Sequence, residues 1–251
     1  MVTFRKLGKF GRFGNQLFQY AGTRLYAHLN GYKTVFPKWI GNKIFEGVNH
    51  PYNSIDKIKS LFLRTRQLND VKSHNRIDAI KFILGVNSRL PETINIESLY
   101  SNPKDNINLY SHFQDEFSME LLKKHRNLVG NWFFFKPEIE NAFKIATDHL
   151  RPWIGIHIRR GDFVKRGLAV PTIEYLELLK RISNGKNLYI ATDDKKAVDD
   201  FKDFKLIKVS NPLACIPDFI FDFWMLKNAE TIIGCGSTFS WWAAYLSNKN
   251  N

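Results

Sequence analysis

Cysteine and long apolar runs are both scarce in this sequence of 251 residues, and each scarcity excludes a class of protein. Two cysteines, Cys215 and Cys235, are too few for the disulfide framework of a small secreted protein, so a reducing compartment is expected. No stretch approaches the roughly 20 apolar residues that span a bilayer. The basic start, residues 1–13, is not followed by the apolar core of a signal peptide. We therefore expect a cytoplasmic protein that is at most peripheral to a membrane.

Acidic residues are also few, with 24 Asp and Glu against 37 Lys and Arg and a net charge of +13. Such a surface attracts nucleic acids, acidic lipids or phosphorylated small molecules, and the sign of the charge does not choose among them. Nucleic-acid binders usually cluster basic residues along a groove with aromatic side chains for stacking. Here the basic residues are scattered and the aromatic residues follow core periodicity. Nucleic-acid binding is therefore the alternative function rather than the favoured one.

The first part of the chain predicts a strand at residues 2–7, a glycine-rich turn, a helix at about 15–29 and a strand at 34–36. This order is the seed of a parallel sheet. Residues 49–106 predict only short helices and loops. A strand at 107–113 and helices at 119–125 and 137–150 follow, and Arg151-Pro152 then breaks the pattern. The sequence predicts an N-terminal Rossmann-like domain over residues 1–150.

The second part alternates strands and helices more regularly. Strands are predicted at residues 153–158, 187–192, 206–210 and 231–234, and helices at 172–183, 195–201, 218–228 and 237–246. Strands that alternate with helices indicate an α/β fold with a doubly wound parallel sheet. The sequence predicts a C-terminal Rossmann-like domain over residues 151–251.

Polar residues follow three of these C-terminal strands, and ligands of such sheets bind beyond the carboxyl ends of the strands. We expect the three groups to converge. They are His157, Arg159, Arg160 and Asp162; then Thr192, Asp193 and Asp194; then Gly236, Ser237 and Thr238.

The first and third groups suit a diphosphate. The guanidinium of arginine binds phosphate oxygens at two points, and the first turn of a helix offers unpaired N–H groups to an anion. Fixed cations stabilise the charge that grows on a departing nucleoside diphosphate. The plainer alternatives are a basic surface turn or salt bridge at Arg159-Arg160, and a simple N-cap at Ser237 or Thr238.

The second group allows several interpretations. Asp193-Asp194 suits a Mg²⁺ site, an acceptor for ribose or base, or an N-cap for the next helix. The arginines and the helix at Ser237 already supply positive charge, so we predict no metal.

The N-terminal turn, Gly11-Arg12-Phe13-Gly14-Asn15-Gln16, has the wrong spacing for a dinucleotide fingerprint. Its polar side chains suit sugar hydroxyls, and a purely structural turn is the alternative.

Four blocks in order carry a resemblance to a known family. They are GRFGNQLFQYA at residues 11–21, HIRRGDF at 157–163, ATDD at 191–194 and STFSWWA at 237–243. Together they resemble the alpha-1,2-fucosyltransferases of glycosyltransferase family 11. Residue 163 is Phe where the family usually has Tyr, and relatives continue beyond the equivalent of Asn251. The resemblance therefore implies either a naturally C-terminally short member or a fragment of a longer one.

The resemblance implies a GT-B architecture, in which two Rossmann-like halves with parallel sheets face a cleft. It implies inverting, metal-independent transfer of L-fucose from GDP-fucose to the 2-hydroxyl of a terminal beta-galactoside. Alternatives within the same fold are protein O- and alpha-1,6-fucosyltransferases. The implied setting is synthesis of a cell-surface polysaccharide at the inner membrane face.

The resemblance also implies roles for individual residues. Arg159 is the main ligand of the β-phosphate and Arg160 supports it. His157 bonds the donor. Separately, inversion needs a base for the proton of the acceptor hydroxyl, or a phosphate oxygen that takes it late in the reaction; Asp162 is the candidate base and His157 a poorer one. The remaining implied contacts are Asp193 at the guanosine end, Ser237 and Thr238 on the phosphates, Phe239 on the base, Asp194 and Gly14 elsewhere on the donor, Asn15 near the fucose and the acceptor, and Arg12 and Gln16 on the acceptor side.

Overall fold

The computed structural model describes residues 1–68 and 92–247, which form two α/β units with parallel sheets, as the sequence predicts. The first unit is Met1–Phe134 and the second is Phe135–Asn251. The helix Pro137–Thr147 lies in the second unit, whereas the predicted boundary at residue 150 assigns it to the first. Part of the weakly patterned segment 49–106 lies outside the described residues. No helix in the two described stretches is long and apolar enough to cross a bilayer.

The first unit is built on a sheet of five parallel strands in the order β2-β1-β5-β3-β4. Its strands are β1 (Val2–Thr3), β2 (Thr34–Val35), β3 (Arg64–Leu68), β4 (Glu92–Ile94) and β5 (Ile107–Tyr110). Its helices are α1 (Phe13–Leu29), α2 (Gly41–Ile44), α3 (Ser54–Leu61), α4 (Ile96–Ser101), α5 (Glu116–Lys124) and α6 (Arg126–Asn131).

Helix α1 packs on this unit through the apolar stripe that its sequence predicts. Leu17, Phe18 and Leu25 are buried, and a Cβ on Gly22 would come within 2.4 Å of the Phe113 ring. The predicted strand at 107–113 ends at Tyr110, because Phe113 takes a left-handed backbone conformation with φ +54°. Strand β1 is likewise shorter than predicted, because the Leu7 N–H turns back to the Phe4 carbonyl.

The second unit contains a sheet of three parallel strands in the order β7-β6-β8. Its strands are β6 (Trp153–Ile158), β7 (Asn187–Thr192) and β8 (Thr231–Ile233). Its helices are α7 (Pro137–Thr147), α8 (Gly161–Lys165), α9 (Thr172–Ile182), α10 (Asp218–Lys227) and α11 (Thr238–Tyr245). Residues Lys195–Phe201 form a 3₁₀-helix.

The predicted strand at 206–210 is wrong. Leu206 forms a single bridge to Leu188 of β7, with the Ile207 N–H donating to the Leu188 carbonyl at 2.8 Å. Residues 206–210 are partly or fully exposed, so burial of their side chains does not stabilise strand pairing beyond this bridge.

Strand β6 lies at the centre of this sheet, and all six of its residues are buried. Helix α9 covers the sheet with Tyr175 and Leu179. Helix α10 and the residues just after it approach closely, because a Cβ on Gly155 would lie 3.1 Å from the Leu226 side chain of α10 and 2.9 Å from the Ala229 side chain. The central position of β6 brings its carboxyl end beside the ends of both neighbours, which positions the candidate site.

Candidate functional site

The guanidinium of Arg159 lies between two carboxylates at the carboxyl edge of the second sheet. Its Nη1 is 2.7 Å from Asp193 Oδ2, and its Nη2 is 2.5 Å from Asp162 Oδ1. The ring of Phe163 lies 5.8 Å from the guanidinium carbon, within the range of a cation–π contact. Only 13% of the Arg159 side chain is exposed. These contacts hold a permanent positive charge in one orientation, and they need no hydroxyl at residue 163.

Asp193 joins the ends of β6 and β7. Its Oδ1 accepts a hydrogen bond from the Arg160 N–H at 2.8 Å, while its Oδ2 pairs with Arg159. A Cβ on Gly161 would lie 2.6 Å from that Oδ2, so only glycine leaves room for the carboxylate there. The structure therefore places Asp193 on Arg159, a contact that spacing along the sequence does not reveal.

Arg160 turns the other way. Its Nη1 donates to the Val170 carbonyl at 2.8 Å and its Nη2 donates to the Thr172 hydroxyl at 2.5 Å. Both contacts lie where the chain enters α9. The guanidinium of Arg160 thus fixes the loop that precedes α9, and its N–H fixes Asp193.

His157 is buried beneath this edge and joins the ends of β6 and β8. Only 6% of the residue is exposed, its ring lies 5.0 Å from the Phe239 ring, and its Nδ1 is 3.4 Å from Cys235 Sγ. The backbone N–H groups of Ser237 and Arg159 also face the Cys235 sulfur. Burial raises the pKa of the Cys235 thiol, so it stays protonated. The first and third predicted groups therefore meet around Cys235, a residue that the sequence pattern does not place at the site.

Burial lowers the pKa of His157 to about 4, although the nearby Asp193 carboxylate opposes the shift. The folded pKa lies below the ordinary value of 6.5, so the neutral ring stabilises the fold fully above pH 6.5. That contribution is lost as the pH falls from 6.5 towards 4.

We expect the His157 ring proton signals in NMR to stay constant between about pH 5 and 8, where exposed histidines titrate. The His157→Gln variant identifies the signal by its loss. A midpoint near the ordinary histidine value would contradict this placement.

The first turn of α11 forms the third side of the edge. Ser237 is its N-cap, and the Ser237 hydroxyl accepts from the Phe239 N–H at 3.3 Å. Gly236 has φ +70°, and a Cβ built there meets no atom within 4 Å. Thr238 opens the helix. The predicted N-cap is confirmed, and the start of α11 borders open space, as an anion site requires.

The other two carboxylates of the predicted site differ in environment. The Asp162 carboxylate is 44% exposed, and the hydrogen bond from Arg159 lowers its pKa. A lowered pKa keeps Asp162 ionised but makes it a weaker proton acceptor. Asp194 caps the 3₁₀-helix by accepting from the Lys196 N–H at 3.1 Å, which confirms the predicted N-cap.

The predicted residues of the glycine-rich turn lie in the first unit. Arg12 occupies the N-cap position of α1, and Gly14 is buried in its first turn. Asn15 Oδ1 accepts from the Gln114 amide at 3.2 Å, and the Gln16 amide donates to the Gly11 carbonyl at 3.1 Å. Gln114 is a partner that the sequence does not single out, because it comes 99 residues later in the chain.

Carboxylates at the edge of the second sheet are paired with cationic or N–H groups rather than grouped with one another. Within residues 1–68 and 92–247, no three His, Cys, Asp or Glu side chains come together as metal ligands would. Positive charge at the edge comes from Arg159 and from the start of α11.

No protein-family model matches the chain. An alpha-1,2-colitosyltransferase from Escherichia coli is 29% identical over 106 residues, which cover 38% of this chain and 36% of that protein. The match thus spans about a third of that curated relative.

Solved structures match over nearly the whole chain. The NodZ alpha-1,6-fucosyltransferase soaked with GDP-fucose has a TM-score of 0.58 and 17% identity, covering 98% of this chain and 91% of that chain. POFUT1 in complex with GDP has a TM-score of 0.56 and 13% identity, covering 98% and 94%. The chain therefore has the GT-B-type fold of the fucosyltransferases, as the resemblance of its four sequence blocks to the alpha-1,2-fucosyltransferase family implies.

Proposed function

We propose that this chain is an inverting glycosyltransferase that transfers L-fucose, or a closely related deoxy sugar, from a GDP-sugar to the 2-hydroxyl of a terminal beta-galactoside. One observation carries the proposal: Arg159 and the first turn of α11 meet at one sheet edge, where the ring of His157, two residues before Arg159, lies 5.0 Å from the Phe239 ring of α11. A permanent cation beside the positive end of a helix suits a diphosphate.

The reaction follows from where negative charge develops. The acceptor oxygen forms a bond to the anomeric carbon while the bond from that carbon to the β-phosphate oxygen breaks, and its electron pair stays on the phosphate. Arg159 is held by Asp193 and Asp162, so it needs no reorganisation to meet this charge. In this proposal Ser237 contributes its hydroxyl, Thr238 contributes its backbone N–H and hydroxyl, and Phe239 borders the base.

Inversion also requires that the acceptor hydroxyl lose its proton. Asp162 is the proposed base because its carboxylate is ionised and partly exposed beside Arg159. Its lowered pKa limits the driving force, and a phosphate oxygen that takes the proton late in the reaction is the alternative. His157 is buried and faces Cys235, so we assign it a supporting position under the edge.

The donor sugar and the linkage each have a second candidate. The similarity to an alpha-1,2-colitosyltransferase favours testing colitose, which lacks the 3-hydroxyl of L-fucose, beside fucose itself. The likeness to the NodZ alpha-1,6-fucosyltransferase favours testing the alpha-1,6 linkage beside the alpha-1,2 linkage. These candidates share the diphosphate site, so they differ in the sugar and acceptor contacts alone.

The test is a transfer assay with EDTA present. The purified chain is incubated with GDP-fucose or GDP-colitose and a panel of beta-galactosides, and the product linkage is determined by NMR. We expect turnover that EDTA does not reduce, because Arg159 and α11 supply the positive charge. Activity that appears only with added Mg²⁺ would contradict metal independence. Salt-dependent binding to random DNA without preference for GDP would support the nucleic-acid alternative.

A further inference from the structure

Helix α3 exposes its apolar side chains and buries a polar one, which is the reverse of a normal surface helix. Ile55 and Ile58 are 63% and 58% exposed, Leu61 is 49% exposed, and Phe62 just after the helix is 83% exposed. The residue that α3 buries is Ser60, at 1% exposure. Helices of soluble proteins usually bury their apolar stripe. Helix α3 therefore offers an apolar face to the surroundings of the first unit.

Lysines border this face on both sides. At about 3.6 residues per turn, Ile55, Ile58 and Phe62 lie on one arc of the helix. Lys57 and Lys59 fall on opposite edges of that arc, and both are exposed. An apolar centre with basic residues along its edges is typical of helices that lie in the plane of a membrane interface.

Polar contacts on the inner side hold α3 in this orientation. Arg5 donates from Nη1 to the carbonyls of Ser60 and Leu61, at 3.3 and 3.2 Å, and from Nη2 to the Thr65 hydroxyl at 2.7 Å. At the other end, the Asn53 side chain caps the helix. The apolar face is therefore presented by a fixed scaffold.

We propose that the face formed by Ile55, Ile58, Leu61 and Phe62, with Lys57 and Lys59 at its edges, docks this chain on a membrane surface rich in anionic lipids. The four apolar side chains enter the headgroup region and the two lysines meet the lipid phosphates. The net charge of +13 adds attraction at longer range. This surface goes beyond the transfer reaction, and vesicle binding is measured without donor or acceptor.

A second copy of the chain fits this face less well. A symmetric pairing through one short helix would bring Lys57 and Lys59 towards their own copies, and like charges at close range repel. Anionic lipid satisfies both the apolar centre and the basic edges. The proposal therefore commits to a lipid surface.

The experiment is sedimentation with vesicles of phosphatidylcholine alone or mixed with phosphatidylglycerol. We expect the wild-type chain to bind the mixed vesicles and to bind pure phosphatidylcholine weakly. Ile58→Ser with Phe62→Ser should weaken binding at least about 10-fold, because each large apolar side chain favours transfer from water. Lys57→Glu with Lys59→Glu should have an effect of at least similar size, since each lysine near an anionic surface contributes to attachment.

Matched controls separate this face from general attraction. Lys180→Glu with Arg181→Glu changes the net charge equally on the exposed side of α9, and Ile145→Ser removes an apolar side chain that is 82% exposed on α7. We expect both controls to bind within about twofold of wild type, with unchanged circular dichroism in every variant.

Three results would overturn the proposal. They are failure of wild type to bind either vesicle, equal loss in the control variants, and binding of the α3 variants as tight as that of wild type. Concentration-dependent dimerisation that Phe62→Ser abolishes, without vesicle binding, would assign the face to a second copy instead.

Discussion

Replacement of Arg159 by alanine is expected to lower kcat/KM for transfer from the GDP-sugar by at least about 1,000-fold. The reason is that the Arg159 guanidinium, only 13% exposed and fixed by two carboxylates, is the proposed counter-charge of the departing diphosphate. Lysine at this position keeps the charge but loses the two-point geometry, so Arg159→Lys should recover only part of the activity. Steady-state kinetics with EDTA present measure both variants.

Arg181→Ala serves as the control, because Arg181 is exposed on α9 and takes no part in the proposed site. It should keep kcat/KM within about twofold of wild type. Circular dichroism and thermal unfolding establish that Arg159→Ala remains folded. If folded Arg159→Ala still turns over at the wild-type rate, the proposed role of the cation is wrong.

Gly161→Ala should reduce kcat/KM by about 100-fold, the cost of misplacing a catalytic group by about 1 Å. The new Cβ would lie 2.6 Å from Asp193 Oδ2, so the carboxylate must move, and Arg159 loses one of its two supports. The atom in contact is the end of a side chain rather than backbone, so folding tolerates the shift. We therefore expect a change in the free energy of unfolding below about 1 kcal/mol.

Gly130→Ala is the matched control. A Cβ at Gly130, in helix α6, meets no atom within 4 Å, so it should leave kinetics unchanged and stabilise the helix slightly. Rate and stability are measured together by transfer assays and chemical denaturation. Wild-type kcat/KM in Gly161→Ala would show that the Asp193–Arg159 pair does not position the site.

In the second unit, the sequence predicts two neighbouring strands correctly and wrongly predicts a further strand at the edge of the sheet. Residues 153–158 and 187–192 are predicted as strands with the observed bounds, because both are largely apolar runs of strand length that turn residues delimit. The segment 206–210 has a similar apolar content but lies at the outer side of β7. There it forms a single bridge at Leu206 and no further strand pairing within the described residues. The local sequence pattern does not show whether a segment pairs with its neighbour along its whole length. The wrong strand prediction therefore falls at the edge of the sheet.

At the site, the sequence predicts which groups gather but not how they pair. The carboxyl ends of parallel neighbouring strands lie side by side, so the meeting of Arg159, Asp193 and the Ser237 helix follows from topology. The direction in which each side chain points does not follow from topology. Arg160, next to Arg159, turns to Val170 and Thr172, and this choice depends on a loop that spacing cannot place.

Fixed positive groups at one sheet edge, acting without a divalent ion, are the central claim of this account. A crystal structure of the chain with GDP, grown with EDTA, tests it most directly. The account predicts the β-phosphate within hydrogen-bond distance of both the Arg159 guanidinium and the backbone N–H groups at the start of α11. A diphosphate bound away from Arg159, or GDP that enters the crystal only when Mg²⁺ replaces EDTA, would contradict it.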